Sequence, residues 1–466
     1  MSSILGRCLA FGLCFVAALL FALQDQSLTP FFFIPVVALI ATFVAGWVPS
    51  RRLEADVFCM AFGLYALLAA ITQTVNAEFY GVMFGTIDSG TFYRAAQGYL
   101  GRVPLTFIYV VEGRGGLDTT LTAFVYQHVL DFVQIFEKHP VVWPLLCTNA
   151  VVGALGLALT VALARIVFLE KQAPIFATIF FAMFCPQLAY YTVELLRDGF
   201  VYLIVTWMFL SVAALMRSKS IRQMIGASAS LLIATALISV ARTQFVLLGI
   251  VAASLIPVTG FIYGRRTHTK ALLIIAAVVA IGLAVVVALP ILTEVAGSAN
   301  VFNSIYGKNA QAEGGLGYTL IVSLPAPLRL IAGSVYQHLF PIPLWADFGG
   351  PTPAWWLISL NGIWIALLVP LAVVGAGMLF SSYSSAVLDR RLLTLMALLY
   401  GFLIAIVAVT TLETRHTSAG YSAFFLLAAA PFADTERTWP ALRFYSQLWL
   451  AAVVVVHLVW ATLKAV

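Results

Sequence analysis

Long apolar runs alternate with short polar breaks along almost the whole chain. Runs of about twenty apolar residues are long enough to cross a bilayer as helices. The pattern predicts about thirteen such spans: 4–23, 31–49, 56–74, 141–168, 173–191, 193–216, 222–241, 244–263, 270–291, 354–380, 392–411, 420–433 and 444–464. Two connections are long, 75–140 and 292–353; the rest are short. Within the first, Leu121, Phe124, Val125, His128, Val129, Phe132, Ile135 and Phe136 recur at helical spacing, and Asp118, Asp131, Glu137 and Lys138 fill the remainder. This predicts an amphipathic helix over 119–137 lying in the membrane interface, with His128 on its apolar side. The expected fold is therefore all-α: a single polytopic membrane domain, 1–466, with the two long loops shaping a cavity on one face.

Composition agrees. The chain is 62% hydrophobic and 9% charged, with mean hydropathy +1.02, and no soluble 466-residue domain could bury that much apolar surface. An apolar run also follows Arg7 at the N-terminus, but no small-residue cleavage site follows it, so it is read as a retained span. The five cysteines fall inside apolar spans without metal-ligand or disulfide spacing.

Charge sets the sidedness. With the N-terminus placed in the cytoplasm, the inward connections hold Arg51, Arg52, Lys171, Arg217, Lys219, Arg222, Arg265, Arg266, Lys270, Arg390, Arg391, Arg437 and Arg443. Most acidic residues fall on the other side, as do both long loops. This distribution obeys the positive-inside rule. It explains the net charge of +6 without a nucleic-acid partner. The inward loops are too short for a soluble catalytic domain, so the working apparatus is expected to face outward.

Ionisable groups gather at that outer level from five distant segments. ELLRDGFVYL carries Glu194, Arg197 and Asp198 at spacings that place all three on one face of a helix. Arg242 lies in the turn between two spans, Arg329, His338 and Trp345 in the second long loop, and Glu413, Arg415 and His416 in the late turn. The stretch GTIDSGTFYRAAQGYL adds Asp88, Tyr93 and Arg94, with Asp88 or Ser89 expected to cap a helix. Arginine forks suit the oxygens of a diphosphate, which points to Arg197, Arg242 and Arg415. Asp88, Glu194 and His416 are the candidate bases for an attacking hydroxyl. No acidic pair or histidine pair has ligand spacing, so a site without metal or other cofactor is expected. Each of these residues also has a plain structural reading: helix cap, interface anchor or ion pair that orients spans.

Three segments, IDSGTFYRAAQGYL, ELLRDGFVYLIVTWMFLSVAALMRSK and TRHTSAGYSAFFLLAAA, together with LFPIPLW, resemble the multispan bacterial glycosyltransferases of the GT-C type. Among them the chain is most similar to polysaccharide and O-antigen polymerases of the Wzy type. The resemblance implies a polyprenyl-diphosphate-linked glycan as donor, a growing lipid-linked chain as acceptor, contact with membrane lipids and cooperation with other polysaccharide-assembly proteins. On the residue chemistry above, Asp88, Glu194 and His416 are the expected catalytic residues, and Arg197, Asp198, Arg242, Arg329, His338, Arg415, Tyr93 and Arg94 the expected substrate-binding ones. The late turn lacks the proline that usually follows the arginine, and the first loop lacks paired acids. Transfer of a single sugar from a polyprenyl monophosphate, and a transporter or flippase of lipid-linked glycan, remain open alternatives.

Overall fold

The protein is described from a computed structural model that covers residues 3–47, 49–98, 109–111, 114–116, 120–137, 141–263, 321, 323–380, 388–409, 412 and 414–465. The expected span 270–291 lies outside the described residues, as do Glu413, Asp118 and Lys138. Helices dominate. Among the described residues, eight are long and apolar enough to cross a membrane: α1 (Ser3–Asp25), α3 (Arg52–Tyr80), α6 (Trp143–Val167), α9 (Asp198–Arg217), α10 (Ile221–Ala241), α13 (Pro353–Gly377), α14 (Arg390–Val409) and α17 (Thr435–Ala465). The pair α7 (Gln172–Met183) and α8 (Pro186–Val193) makes a ninth if it is counted as one span bent by 42°. Pro186 stands at the break, where it cannot continue the preceding helix. The protein is thus a polytopic, helical membrane protein.

Helices α2 (Thr29–Trp47) and α11 (Val246–Tyr263) coincide in position with the expected spans 31–49 and 244–263. One expected span is overturned. The stretch 420–433 is not a span: it forms α16 (Tyr421–Ala429), nine residues long, closed by a 3₁₀ turn over Ala430–Ala433. Every residue of α16 is buried, so its apolarity serves the protein core rather than lipid. Hydropathy alone cannot separate these two uses.

Helices α3, α6 and α9 form the centre, with α1 packed on α3 and α10 on α9. Tyr65, Phe62, Leu157, Tyr202 and Phe425 are fully enclosed there. Small residues allow the close approach that membrane helices use in place of a hydrophobic driving force. A Cβ on Gly156 would stand 2.6 Å from the Tyr202 ring, and the Tyr202 and Thr160 hydroxyls lie 2.7 Å apart. Gly375 on α13 lets the backbone of α16 pass so closely that a Cβ would collide with the Leu427 carbonyl.

In the first long loop, α4 (Ile87–Ala96) and α5 (Thr120–Val133) pack on each other and α5 on α6. An antiparallel ribbon pairs Tyr109–Val111 with Arg114–Gly116, the one strand pair among the described residues. The α5 helix buries Ala123, Tyr126, Gln127, Leu130 and Val133 against the protein. The apolar stripe read from the sequence divides: Leu121, Val125 and Val129 pack half-buried against the core, while Phe132, Ile135 and Phe136 are exposed, as is His128. His128 is therefore not a core histidine. Its Nδ1 bonds to the Phe124 carbonyl at 2.9 Å, and the outward stripe suits an interfacial surface.

Candidate functional site

The bend between α8 and α9 organises the cluster. Glu194 has extended backbone at the C-cap of α8, and Arg197 precedes the first residue of α9, Asp198. The three charges of ELLRD therefore do not share one helical face, because the helix ends between them. Glu194 points into the first loop, where its carboxylate accepts from Gly85 N–H (2.8 Å), the Ser89 hydroxyl (2.6 Å) and the Thr86 hydroxyl (3.3 Å). Ser89 also accepts from Leu195 N–H at 3.0 Å. Thr86, not Asp88 or Ser89, is the N-cap of α4 and accepts from Ser89 N–H. Enclosure of Glu194 pushes its carboxyl above the usual carboxylate range, and the Ser89, Gly85 and Thr86 donors oppose that rise.

Asn149, a lone polar residue in the middle of an apolar run, ties this bend to α6. Its amide donates to the carbonyls of Tyr191 (2.9 Å) and Glu194 (2.8 Å), and it accepts from the Tyr126 hydroxyl at 2.5 Å. Sequence reasoning passed over Asn149, although an amide at membrane depth is a signal in itself. The first turn of α13 closes the other side: Trp355 Nε1 donates to the Gly85 carbonyl at 3.3 Å.

Asp198 turns away from Glu194 and pairs with Arg242 at 2.6 Å; both side chains are 5% exposed. The other branch of Arg242 meets His416 Nε2, and its guanidinium lies 5.8 Å from the centre of the Phe245 ring. His416 Nε2 can accept from that guanidinium only as the neutral imidazole. Arg197 is half-buried at the bend beside Asp198.

Arg415 occupies the position next to His416. Its Nη1 donates to Asp88 Oδ2 at 3.1 Å, and these side chains are 30% and 42% exposed. The Arg415 carbonyl accepts from Tyr191 (2.7 Å) and Ser418 (2.5 Å) hydroxyls. The turn that carries Arg415 and His416 is therefore fixed at both ends, while the Arg415–Asp88 pair stays accessible.

The other candidates lie apart from that pair. Tyr93 is buried against Phe84, ring centres 5.5 Å apart. Arg94 is exposed on α4, with Nη2 3.4 Å from the Thr91 hydroxyl. Arg329 and His338 belong to α12 (Ala326–Leu339), which packs on α14. Arg329 donates to the Ala408 carbonyl at 3.2 Å, and His338 bonds the Ser334 carbonyl at 2.7 Å and the Tyr400 hydroxyl at 3.1 Å. Desolvation lowers the His338 imidazole below its ordinary value. Among the described residues, no three His, Cys, Asp or Glu side chains are grouped to hold a metal ion.

No family model matches the chain, and no curated protein is similar to it. Two solved structures are similar, both of ArnT from Cupriavidus metallidurans. The apo form is 11% identical, with 79% of this chain and 76% of that chain covered and a TM-score of 0.34. The form bound to undecaprenyl phosphate is 13% identical, with 85% and 79% covered and a TM-score of 0.35. No family is thereby assigned. The functional reading rests on the side chains themselves.

Proposed function

We propose that the protein is a membrane glycosyltransferase that takes a polyprenyl-diphosphate-linked glycan as donor on the extracytoplasmic face and polymerises its repeat units. One observation carries this reading. An accessible arginine–carboxylate pair, Arg415–Asp88, is mounted between two buried polar anchors, Glu194 with the Gly85–Ser89 turn and Arg242 with Asp198 and His416.

The anchors and the pair have different work. Asp198 and His416 hold Arg242, and Arg242 holds the turn that presents Arg415. Glu194 fixes the start of α4, and α4 presents Asp88. A diphosphate entering beside Arg415 competes for its fork, which binds phosphate oxygens at least as well as a partly exposed carboxylate. Asp88 is then released as an ionised base within reach of an acceptor hydroxyl. The hydroxyl oxygen attacks the anomeric carbon and its proton passes to Asp88. The bond from that carbon to the diphosphate breaks, and its electron pair leaves with the diphosphate oxygen, where Arg415 and the half-buried Arg197 meet the growing charge. In this scheme Glu194 and His416 position other groups, since the oxygens of one are occupied and Nε2 of the other faces Arg242.

The test is reconstitution of the purified chain in vesicles with a polyprenyl-diphosphate-linked repeat unit. Products longer than one unit support polymerisation. Addition of one sugar from a polyprenyl-monophosphate donor supports single-sugar transfer, and movement of intact donor between leaflets with no new glycosidic bond supports a flippase.

A further inference from the structure

A second polar feature lies at the opposite end of the bundle. Helix α9 runs twenty residues from Asp198 in the cluster to Arg217, about 30 Å at the α-helical rise. There a groove of about 530 Å³ opens between α9 and α10, with Arg51 at its rim. Its mouth carries Arg51 and Arg217, and its walls include Leu210, Ala214, Gly226 and Ala227. The floor is polar and internally satisfied: Trp207 Nε1 donates to Ser230 at 2.8 Å, and the Ser211 and Ser230 hydroxyls lie 2.8 Å apart.

The mouth is cationic. Arg51 reaches Glu54 at 3.1 Å and stays 58% exposed, while Arg165 shares Glu54 at 2.8 Å and also bonds Glu170 at 2.9 Å. Arg217 pairs with Asp389 at 2.8 Å and stays 39% exposed. Lys219 and Arg222 stand close by in sequence, both exposed. The α10 wall is peripheral: Ile225, Leu232 and Ile233 face outward, so the groove is reached from the lipid side. A Cβ on Gly226 would meet nothing within 4 Å, which leaves the groove open along that wall.

We propose that this groove binds one anionic glycerophospholipid, with its phosphate between Arg51 and Arg217 and an acyl chain along Leu210, Ala214 and Gly226. Paired cations above an apolar channel at a span end match an anionic headgroup joined to a hydrocarbon tail. A zwitterionic lipid brings its own cation to the same mouth, and a free phosphate lacks the chain that fills the walls. This site is independent of the glycosyl-transfer reading.

The experiment is a thermal-unfolding titration of the detergent-purified full chain with three probes: dioctanoyl phosphatidylglycerol, dioctanoyl phosphatidylcholine and inorganic phosphate. The wild type is expected to show a saturable rise in midpoint with phosphatidylglycerol and none with the other two. The double variant Arg51→Gln/Arg217→Gln is expected to bind phosphatidylglycerol on the order of tenfold more weakly or worse. Gly226→Trp fills the channel, leaves both arginines in place, and is expected to lose the same shift. Arg437→Gln, an exposed cation elsewhere, should keep it. Equal shifts with phosphatidylcholine or inorganic phosphate, an unchanged titration in the double variant or in Gly226→Trp, or loss in Arg437→Gln would each overturn the proposal.

Discussion

Arg242 stands among groups that all depend on it. Removing its side chain leaves Asp198 buried without its 2.6 Å partner. Breaking a buried pair from one side typically costs about 3–5 kcal/mol, whereas replacing both partners by apolar groups of similar volume costs little. Arg242→Ala is therefore expected to lower the unfolding midpoint strongly, while Arg242→Met with Asp198→Leu recovers most of that stability and still lacks activity. If the single variant is as stable as wild type, Arg242 is not the pin described above. Asp347 tests burial in the second loop. Its partly enclosed carboxyl is raised from 3.8 to about 6 by desolvation. A raised acid favours the folded state when protonated, so its stabilisation is complete below 3.8 and is lost as pH rises to about 6. The unfolding midpoint of the wild type should fall over that window relative to Asp347→Asn; parallel pH profiles would contradict this. At this scale the sequence showed which residues are unusual, but not who pairs with whom. The spacing of Glu194, Arg197 and Asp198 fits one helical face only if the helix continues, and the break after Val193 sends the two carboxylates to different partners.

The start of α4 shows why local sequence rules fell one element short. Asp88, Ser89 and Thr86 are all competent N-caps, and the chain uses Thr86 because Ser89 and Glu194 close the same turn from the other side. Thr86→Ala removes the cap and one of the donors to Glu194. The loss is expected at about 1 kcal/mol, read as a lowered denaturation midpoint, together with reduced activity because α4 carries Asp88. Stability and activity both unchanged would show that the turn does not depend on this cap. The divided stripe of α5 and the enclosed α16 have a common cause. A periodic apolar face reports that one side avoids water, yet in a membrane protein both lipid and core satisfy it. Only the neighbours, α4 and α6 for α5 and α13 and α14 for α16, decide between them.

The whole molecule was legible as a helical membrane protein from hydropathy alone, since eight apolar helices can cross a bilayer by length and composition. The convergence of distant segments could be anticipated only as a shared level along the membrane normal; contacts such as Arg415 to Asp88, 327 residues apart, come from packing. The inward bias of lysine and arginine predicts that α4 lies outside. In a variant lacking its native cysteines, Ile87→Cys, at an 86% exposed position, should react with a membrane-impermeant thiol reagent in intact cells. Lys219→Cys should react only after permeabilisation. The opposite pattern would put the cluster in the cytoplasm. The central claim is that Arg415 and Asp88 do the chemistry while the groups behind them hold position. It is tested most directly by initial transfer rate per folded molecule, with a polyprenyl-diphosphate-linked glycan as donor, for the wild type, Asp88→Asn and Arg415→Lys in the same vesicles. Asp88→Asn is expected to lose ~10²-fold or more in rate with its unfolding midpoint close to wild type. Arg415→Lys, which keeps the charge and loses the fork, should also lose most of its activity. Wild-type rates in both variants, in folded protein, would contradict the account and leave the Arg415–Asp88 contact as an ion pair that only joins the late turn to α4.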